Sequence, residues 1–214
     1  MTHTAAARTA GLFVEREGKS VMDLVTSRLL LRQWRSEDRQ AYADICSDPL
    51  VMRYMPEGKP LSTAESSAKI ERMRHHWLVH GYGWWAVEER SSGRLIGRVG
   101  LRHCDEGTSL RKVEIGWLLA REHWGRGLAT EAARACRDFA FTDVGTDVLF
   151  AVAQQENHQS FRVMERLGMT KTGRSESRGH AVVSYELDRR QWAAAAEDRA
   201  ESYVRCAVDV PTQV

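Results

Sequence analysis

Apolar positions in this chain fall either in short runs bounded by polar residues or in stripes of helical period, and the two patterns alternate along its length. The run Arg28-Leu29-Leu30-Leu31-Arg32-Gln33-Trp34 predicts a first strand. Ser36 as an N-cap, with Glu37 and Asp38 at the positive end, predicts a helix over 39–46 that stops at Asp48-Pro49. A loop marked by Pro56, Gly58 and Pro60 leads into a longer helix over 62–80, closed by Gly81. Strands are predicted over 83–89, 95–102 and 113–119, with Ser91-Ser92-Gly93 as the turn between the first two. Leu128, Ala132, Ala135, Cys136 and Phe139 keep the helical period and predict a helix over 129–141, whose small residues permit close approach to a sheet. A strand over 148–153, a short helix over 158–167 ended by Gly168, and strands over 170–173 and 181–187 complete the pattern.

This interleaving predicts one α/β (α+β) domain over residues 23–188. Residues 1–22 show no clear period and read as a mobile tail. From Arg189 the chain becomes Ala-rich and charged, so 189–214 reads as a C-terminal helical extension carrying Trp192 and Tyr203 as isolated large groups.

Composition removes several function classes. The formal net charge is +2 and no long basic run occurs, so nothing calls for a nucleic-acid or membrane partner. Cys46, Cys104, Cys136 and Cys206 are widely spaced with no C-x-x-C pair, which reads as reduced thiols in a cytoplasmic protein. No secretory signal and no membrane-length apolar stretch is read in the sequence. His76 and His80 stand four apart on a predicted helix but lack a carboxylate partner motif, so they read as a solvated face and no metal is expected. Cys136 reads as packing. Trp77, Trp84 and Trp85 read as core, with the shaping of an acceptor pocket as the other reading.

The stretch 113–132 carries the chemistry. Strand residues Trp117, Leu118 and Leu119 lead through a short loop to Trp124-Gly125-Arg126-Gly127-Leu128-Ala129-Thr130, where a helix begins at the second glycine. Gly125 and Gly127 let the backbone turn sharply and approach a ligand. The first amides of the helix lack internal acceptors, the dipole there is positive, and Arg126 adds a formal charge, so the loop suits a phosphate or pyrophosphate. A glycine pair before a helix also serves as a plain connection, and spacing alone leaves both readings open. The spacing does not fit G-x-G-x-x-G, and no Gly-Lys-Ser or Gly-Lys-Thr follows.

This segment resembles the acetyl-coenzyme A loop of the GNAT acetyltransferases, Q/R-x-x-G-x-G/A, with Trp124 at the first position in place of Gln or Arg. Ala129-Thr130-Glu131-Ala132 is similar to the RimJ and RimL branch of ribosomal-protein acetyltransferases. Asn157-His158-Gln159-Ser160-Phe161 and Arg166-Leu167-Gly168-Met169 resemble the family's N-x-x-S helix and its ending. Read without the family, Asn157 caps a helix and Ser160 completes a capping box. Ser27-Arg28-Leu29-Leu30-Leu31-Arg32, Asp48-Pro49 and Val51-Met52-Arg53-Tyr54-Met55 look like the opening of the same branch, so the resemblance spans about residues 24–187.

The resemblance implies a central, mixed, mostly antiparallel twisted sheet of about seven strands, flanked by helices and splayed between the fourth strand (113–119) and the fifth (148–153). It implies an N-acetyltransferase moving an acetyl group from acetyl-coenzyme A to a primary amine, a protein N-terminus or a small molecule, in a ternary complex. The implied cofactor contacts are Trp117, Leu118, Leu119, Trp124, Gly125, Arg126, Gly127, Leu128, Ala129, Thr130, Asn157 and Ser160, with the Leu119 N–H as oxyanion donor. Many relatives carry a Tyr seven residues after the Asn; here that position is Met164, and Ser160 is the proton donor that the resemblance leaves. Glu114 is the candidate base, acting through water, with a strand-face ion pair as its other reading. An α-amine of pKa about 8 costs roughly 1.4 kcal/mol to deprotonate at pH 7 and a lysine about 4.6, so a lysine acceptor needs such a base more. The alternatives are an acyl-coenzyme A sensor without turnover, an enzyme for a larger acyl group such as succinyl, and a homodimer built through Trp192 and Tyr203.

Overall fold

The computed structural model describes residues 11–16, 19–104, 111–177 and 179–195. Nine strands form one sheet: β1 (Gly11–Arg16), β2 (Lys19–Val25), β3 (Leu29–Arg32), β4 (Trp84–Glu89), β5 (Arg94–His103), β6 (Lys112–Leu119), β7 (Val148–Gln154), β8 (Thr170–Ser177) and β9 (His180–Asp188). Their order is β1-β2-β3-β4-β5-β6-β7-β9-β8. Every neighbouring pair is antiparallel except β6 and β7, which run parallel. The seven strands read from the sequence are β3 to β9. β1 and β2 add a hairpin at one edge, inside the segment read as a mobile tail; its first ten residues lie outside the described residues. The signal there is two runs of β-formers, Leu12-Phe13-Val14 and Val21-Met22, around Glu17-Gly18, too short to stand out against polar flanks.

Helices cover both faces. The helices α1 (Asp38–Ser47), α2 (Pro49–Met52) and α3 (Thr63–His80) close one core with Trp34, Tyr42, Met52, Ile70, Ala86 and Leu118. On the other face, α4 (Leu128–Phe139) and α5 (His158–Arg166) pack on a larger core containing Leu29, Leu31, Trp85, Val99, Ile115 and Leu149. Two apolar layers on one sheet bury both of its faces. The C-terminal helix begins at 189 and is described to 195; here called α6, it brings Trp192 back onto the domain. Its indole donates to Asp138 at 2.9 Å and stacks on Phe141 at 5.1 Å, so Trp192 is engaged within the chain, while Tyr203 lies outside the described residues.

Helix ends follow the sequence at α3 and depart from it at α1. Ser62 caps α3 in a reciprocal box with Glu65, and Gly81 ends it in the left-handed conformation at φ 74°. Ser36 does not cap α1; the N-cap is Glu37, whose side chain accepts from the Ser36 hydroxyl at 3.1 Å and makes no capping bond. Asp38 replaces that cap by accepting the Arg35 amide at 2.7 Å. The same carboxylate takes a fork of two bonds from Arg32, at 2.7 and 2.8 Å, with both side chains about 95 % buried. Among the described residues no helix is long and apolar enough to cross a membrane.

Candidate active site

The sheet parts where the sequence resemblance implies it. β6 and β7 pair over Lys112, Val113 and Glu114, opposite Val148, Leu149 and Phe150, and then diverge. On its other side β6 stays paired with β5 to Leu119. The Ala120 amide donates to Ile96 on the β5 side at 2.9 Å. Backbone groups alternate along a strand, so those of Leu119 and Trp117 turn the opposite way, into the gap.

The turn from β6 into α4 is built on two left-handed glycines, Gly125 at φ 73° and Gly127 at φ 75°. The first intrahelical bond runs from the Glu131 amide to the Gly127 carbonyl at 3.0 Å. Upstream of it, the amides of residues 125–130 find no acceptor among the described residues. This row of donors opens into a cavity of about 550 Å³. The loop is anchored from behind by Glu131, which accepts from Thr26 at 2.6 Å, Ser27 at 3.0 Å and the Arg28 amide at 2.9 Å. Burial works to raise the pKa of this carboxyl, and the bonds from Thr26, Arg28 and Ser27 outweigh it and hold it below the ordinary value. Arg28 also donates to the Arg126 carbonyl at 3.0 Å, fixing the loop's outer edge.

Trp117, Leu118, Leu119, Trp124, Gly125, Gly127, Leu128, Ala129, Thr130, Asn157 and Ser160 all line that cavity. The Arg126 side chain is engaged elsewhere: it pairs with Glu89 at 2.9 Å and meets His123 at 3.0 Å, so its charge is already compensated. Trp124, the departure from the family frame, has a task of its own. Its indole N–H donates to the Leu119 carbonyl at 2.8 Å and so occupies the acceptor at the end of β6.

A second cavity, of about 500 Å³, lies on the α1–α3 face of the sheet. Trp84, Arg98, Arg102, Glu114 and Gly116 form its sheet wall, and residues 54–57 with Lys69 and Met73 form the opposite one. A Cβ on Gly116 would come within 2.8 Å of the Trp84 ring, so glycine there lets the indole lie across the strand. Trp84 thus serves the cavity, whereas Trp77 and Trp85 belong to the core. The two cavities share Tyr54, Met55, Trp117, Asn157 and Ser160, and meet where β6 and β7 part.

Asn157 caps α5 by accepting the Ser160 amide at 3.2 Å. No reciprocal bond from the Ser160 side chain closes a box, and its hydroxyl has no partner among the described residues. Met164 is buried beneath it. Glu114 stands in an ion pair with Arg102. Both of its bonds from that guanidinium fall on Oε2, and Oε1 has no partner among the described residues. Tyr54, which sequence spacing did not single out, donates to the Glu156 carbonyl at 3.3 Å and spans the two loops at the junction.

His76 is tied to the backbone. His76 accepts from the His103 amide through Nε2 at 3.1 Å, so its Nδ1 donates to the Tyr82 carbonyl at 2.9 Å. Both ring nitrogens are used, and among the described residues no group of three or more His, Cys, Asp or Glu gathers to hold a metal.

Proteins similar to this chain include acetyltransferases. Residues 28–170 match the family described as the acetyltransferase (GNAT) domain. The chain is 33% identical over 172 residues to YkkB of Bacillus subtilis (strain 168), covering 74% of this chain and 92% of that protein. It is 30% identical over 143 residues to the spermidine N(1)-acetyltransferase of Escherichia coli (strain K12), covering 67% and 73%. The crystal structure of a GNAT-family acetyltransferase from Bacillus anthracis superposes with a TM-score of 0.70 at 24% identity, over 79% of this chain and 99% of that one. With the matched domain spanning the loop, the parted strands and α5, this chain belongs to the GNAT family and is an acyl-coenzyme A-dependent N-acetyltransferase.

Proposed function

We propose that the amides of residues 125–130 hold the diphosphate of acetyl-coenzyme A and that the gap between β6 and β7 takes its pantetheine arm as an added strand. Amides fixed by two left-handed glycines at a helix mouth give an oxyanion preorganised donors and a favourable dipole. The backbone groups of Leu119 and Trp117 lie on the gap side, where an extended amide-bearing chain finds partners. Leu119 lines only the diphosphate-side cavity, and its carbonyl is held by Trp124. Trp117 lines both cavities, so its N–H, and not that of Leu119, is the donor we place at the thioester carbonyl.

The acceptor amine enters from the α1–α3 face. Its nitrogen attacks the acetyl carbonyl; the C–N bond forms and the C–S bond breaks. The amine loses a proton through water to Oε1 of Glu114, and the Ser160 hydroxyl donates to the departing thiolate. Arg102 keeps the carboxylate of Glu114 in place, so the ion pair and the base are one assembly. The observation that carries this reading is the meeting of the two cavities at the parted strands, with Ser160 and Trp117 on both sides. A sensor of acyl-coenzyme A would have no use for the second cavity.

A thiol-release assay with acetyl-coenzyme A over a panel of amines tests it, run beside Gly127→Glu. A Cβ on Gly127 meets only an Arg28 nitrogen, at 3.7 Å, so the variant places a carboxylate at the amide row without a packing clash, at the cost of backbone strain at φ 75° that the folding check must cover. Turnover by the parent chain and loss of coenzyme A binding in a folded Gly127→Glu variant support the reading; undiminished binding refutes it.

A further inference from the structure

The wall of the acceptor cavity holds a cation that the protein itself does not neutralise. Arg98 is only 6% exposed, yet it lines the cavity. Its Nε is buried without a hydrogen-bond partner, and the contact of Nη2 is the thioether of Met55 at 3.7 Å. Its plane lies over the Trp84 ring, 4.2 Å from the centroid. Among the described residues it forms no ion pair. The neighbouring Tyr42 hydroxyl is held neutral by burial and offers no charge. Glu57, whose field Arg98 feels, already bonds Lys69 at 2.7 Å.

A buried guanidinium without an anion is costly, because desolvation is not repaid by a partner. Stacking on an indole recovers part of that cost and leaves a charged guanidinium in the cavity wall without an oxygen partner. The rest of the lining points the same way. Four cations, Lys69, Arg72, Arg98 and Arg102, stand against two carboxylates, Glu57 and Glu114. Glu57 is paired with Lys69 and Glu114 with Arg102, so neither is an ion-pair partner of Arg98. A polycationic amine would meet this surface with like charge facing like.

We infer that the acceptor is a small amine that also carries an oxyanion, a carboxylate or a phosphate, and that Arg98 is the residue that binds it. This rests on the assignment of the second cavity to the acceptor. Arg98 positions the acceptor through its anionic end while the amine reaches the junction at Trp117 and Ser160. The guanidinium fork matches a carboxylate or a phosphate oxygen pair.

Matched acceptors test it: an ω-amino carboxylate, its neutral amide, an aminoalkyl phosphonate and a diamine of equal length. Binding to the protein–coenzyme A complex is followed by calorimetry, and transfer by thiol release. The expected result is at least tenfold stronger binding of the carboxylate or phosphonate than of the amide and diamine, with the larger of the two naming the oxyanion. In Arg98→Leu the ratio falls to about one while coenzyme A affinity stays unchanged; in Arg98→Lys it is partly kept. Should Arg98→Leu not fold, the parent ratio and Arg98→Lys decide. Equal binding of amide and carboxylate, tighter binding of the diamine, or a preference that survives Arg98→Leu overturns the inference. Selective binding without thiol release leaves the anion site standing and removes the transfer reading, so the two fail separately.

Discussion

The indole N–H of Trp124 bonds the carbonyl of Leu119 at 2.8 Å, tying the loop that begins α4 to the last residue of β6. That carbonyl faces the gap, where β7 no longer supplies a donor. Trp124 thereby fixes the height of the amide row relative to the parted strands. Trp124→Phe keeps the ring and removes the donor. Losing one such bond is worth about 1 kcal/mol, so coenzyme A should bind about fivefold more weakly by calorimetry. Unaltered affinity would mean that the bond does not position the loop.

Ser160 and Asn157 sit on one turn of α5 and should respond differently. Ser160→Ala removes a proton donor and should lower kcat by about a hundredfold or more with little change in coenzyme A affinity. Asn157→Ala removes the cap that holds the Ser160 amide and should cost about 1 kcal/mol of stability. Steady-state kinetics beside chemical denaturation separates the two, and an unchanged kcat in Ser160→Ala removes that hydroxyl from the mechanism.

The pair of Arg32 with Asp38 is the most deeply buried ion pair described and couples β3 to α1. Asp38→Ala leaves the Arg32 guanidinium its bonds to Glu88 at 2.7 Å and to the Gln33 carbonyl at 3.0 Å, and takes the acceptor from the Arg35 amide. Breaking a buried pair on one side is expected to cost about 3 kcal/mol. Urea denaturation reads this as a lower midpoint at similar slope.

Burial depresses the pKa of His76, aided by His80, His103 and Arg102, against the raising effect of its bond to Tyr82. The folded protein therefore binds fewer protons at this site than the unfolded chain, whose imidazole titrates near about 6.5. The contribution of His76 is fully present above that value and is lost as pH falls through the lower folded value, because imidazolium cannot accept from the His103 amide. The lead in melting temperature of the parent over His76→Asn should be largest at pH 7.5 and shrink by pH 5.5. A lead that grows on acidification contradicts the assignment.

Much of this fold is legible in the sequence because period and punctuation agree. Ser62 with Glu65 and Gly81 bracket α3, and Gly125 with Gly127 mark the start of α4. The N-terminal hairpin was not legible: its apolar runs are short and no strong turn pair lies between them. Ser36 was misplaced as a cap because Asp38, two residues on, serves both Arg35 and Arg32, and a long-range ion pair leaves no local trace. Residues 117–119, 124, 125, 127–130, 157 and 160, which the family resemblance puts forward as cofactor contacts, come together around one cavity. Arg98 and Tyr54 were not legible, and Trp84 stood between core and acceptor pocket, since the three meet only when β4, β5 and the segment after α2 are brought together. Arg126 shows the converse: the motif suggested a charge for the ligand, and Glu89 from a distant strand claims it.

The crystal structure of the chain with coenzyme A tests the central claim most directly. The account predicts diphosphate oxygens within about 3 Å of the amides of residues 125–130 and the pantetheine running between β6 and β7, its sulfur near Ser160 and Trp117. Coenzyme A bound away from that loop, or β6 and β7 paired along their whole length with the ligand present, would contradict it.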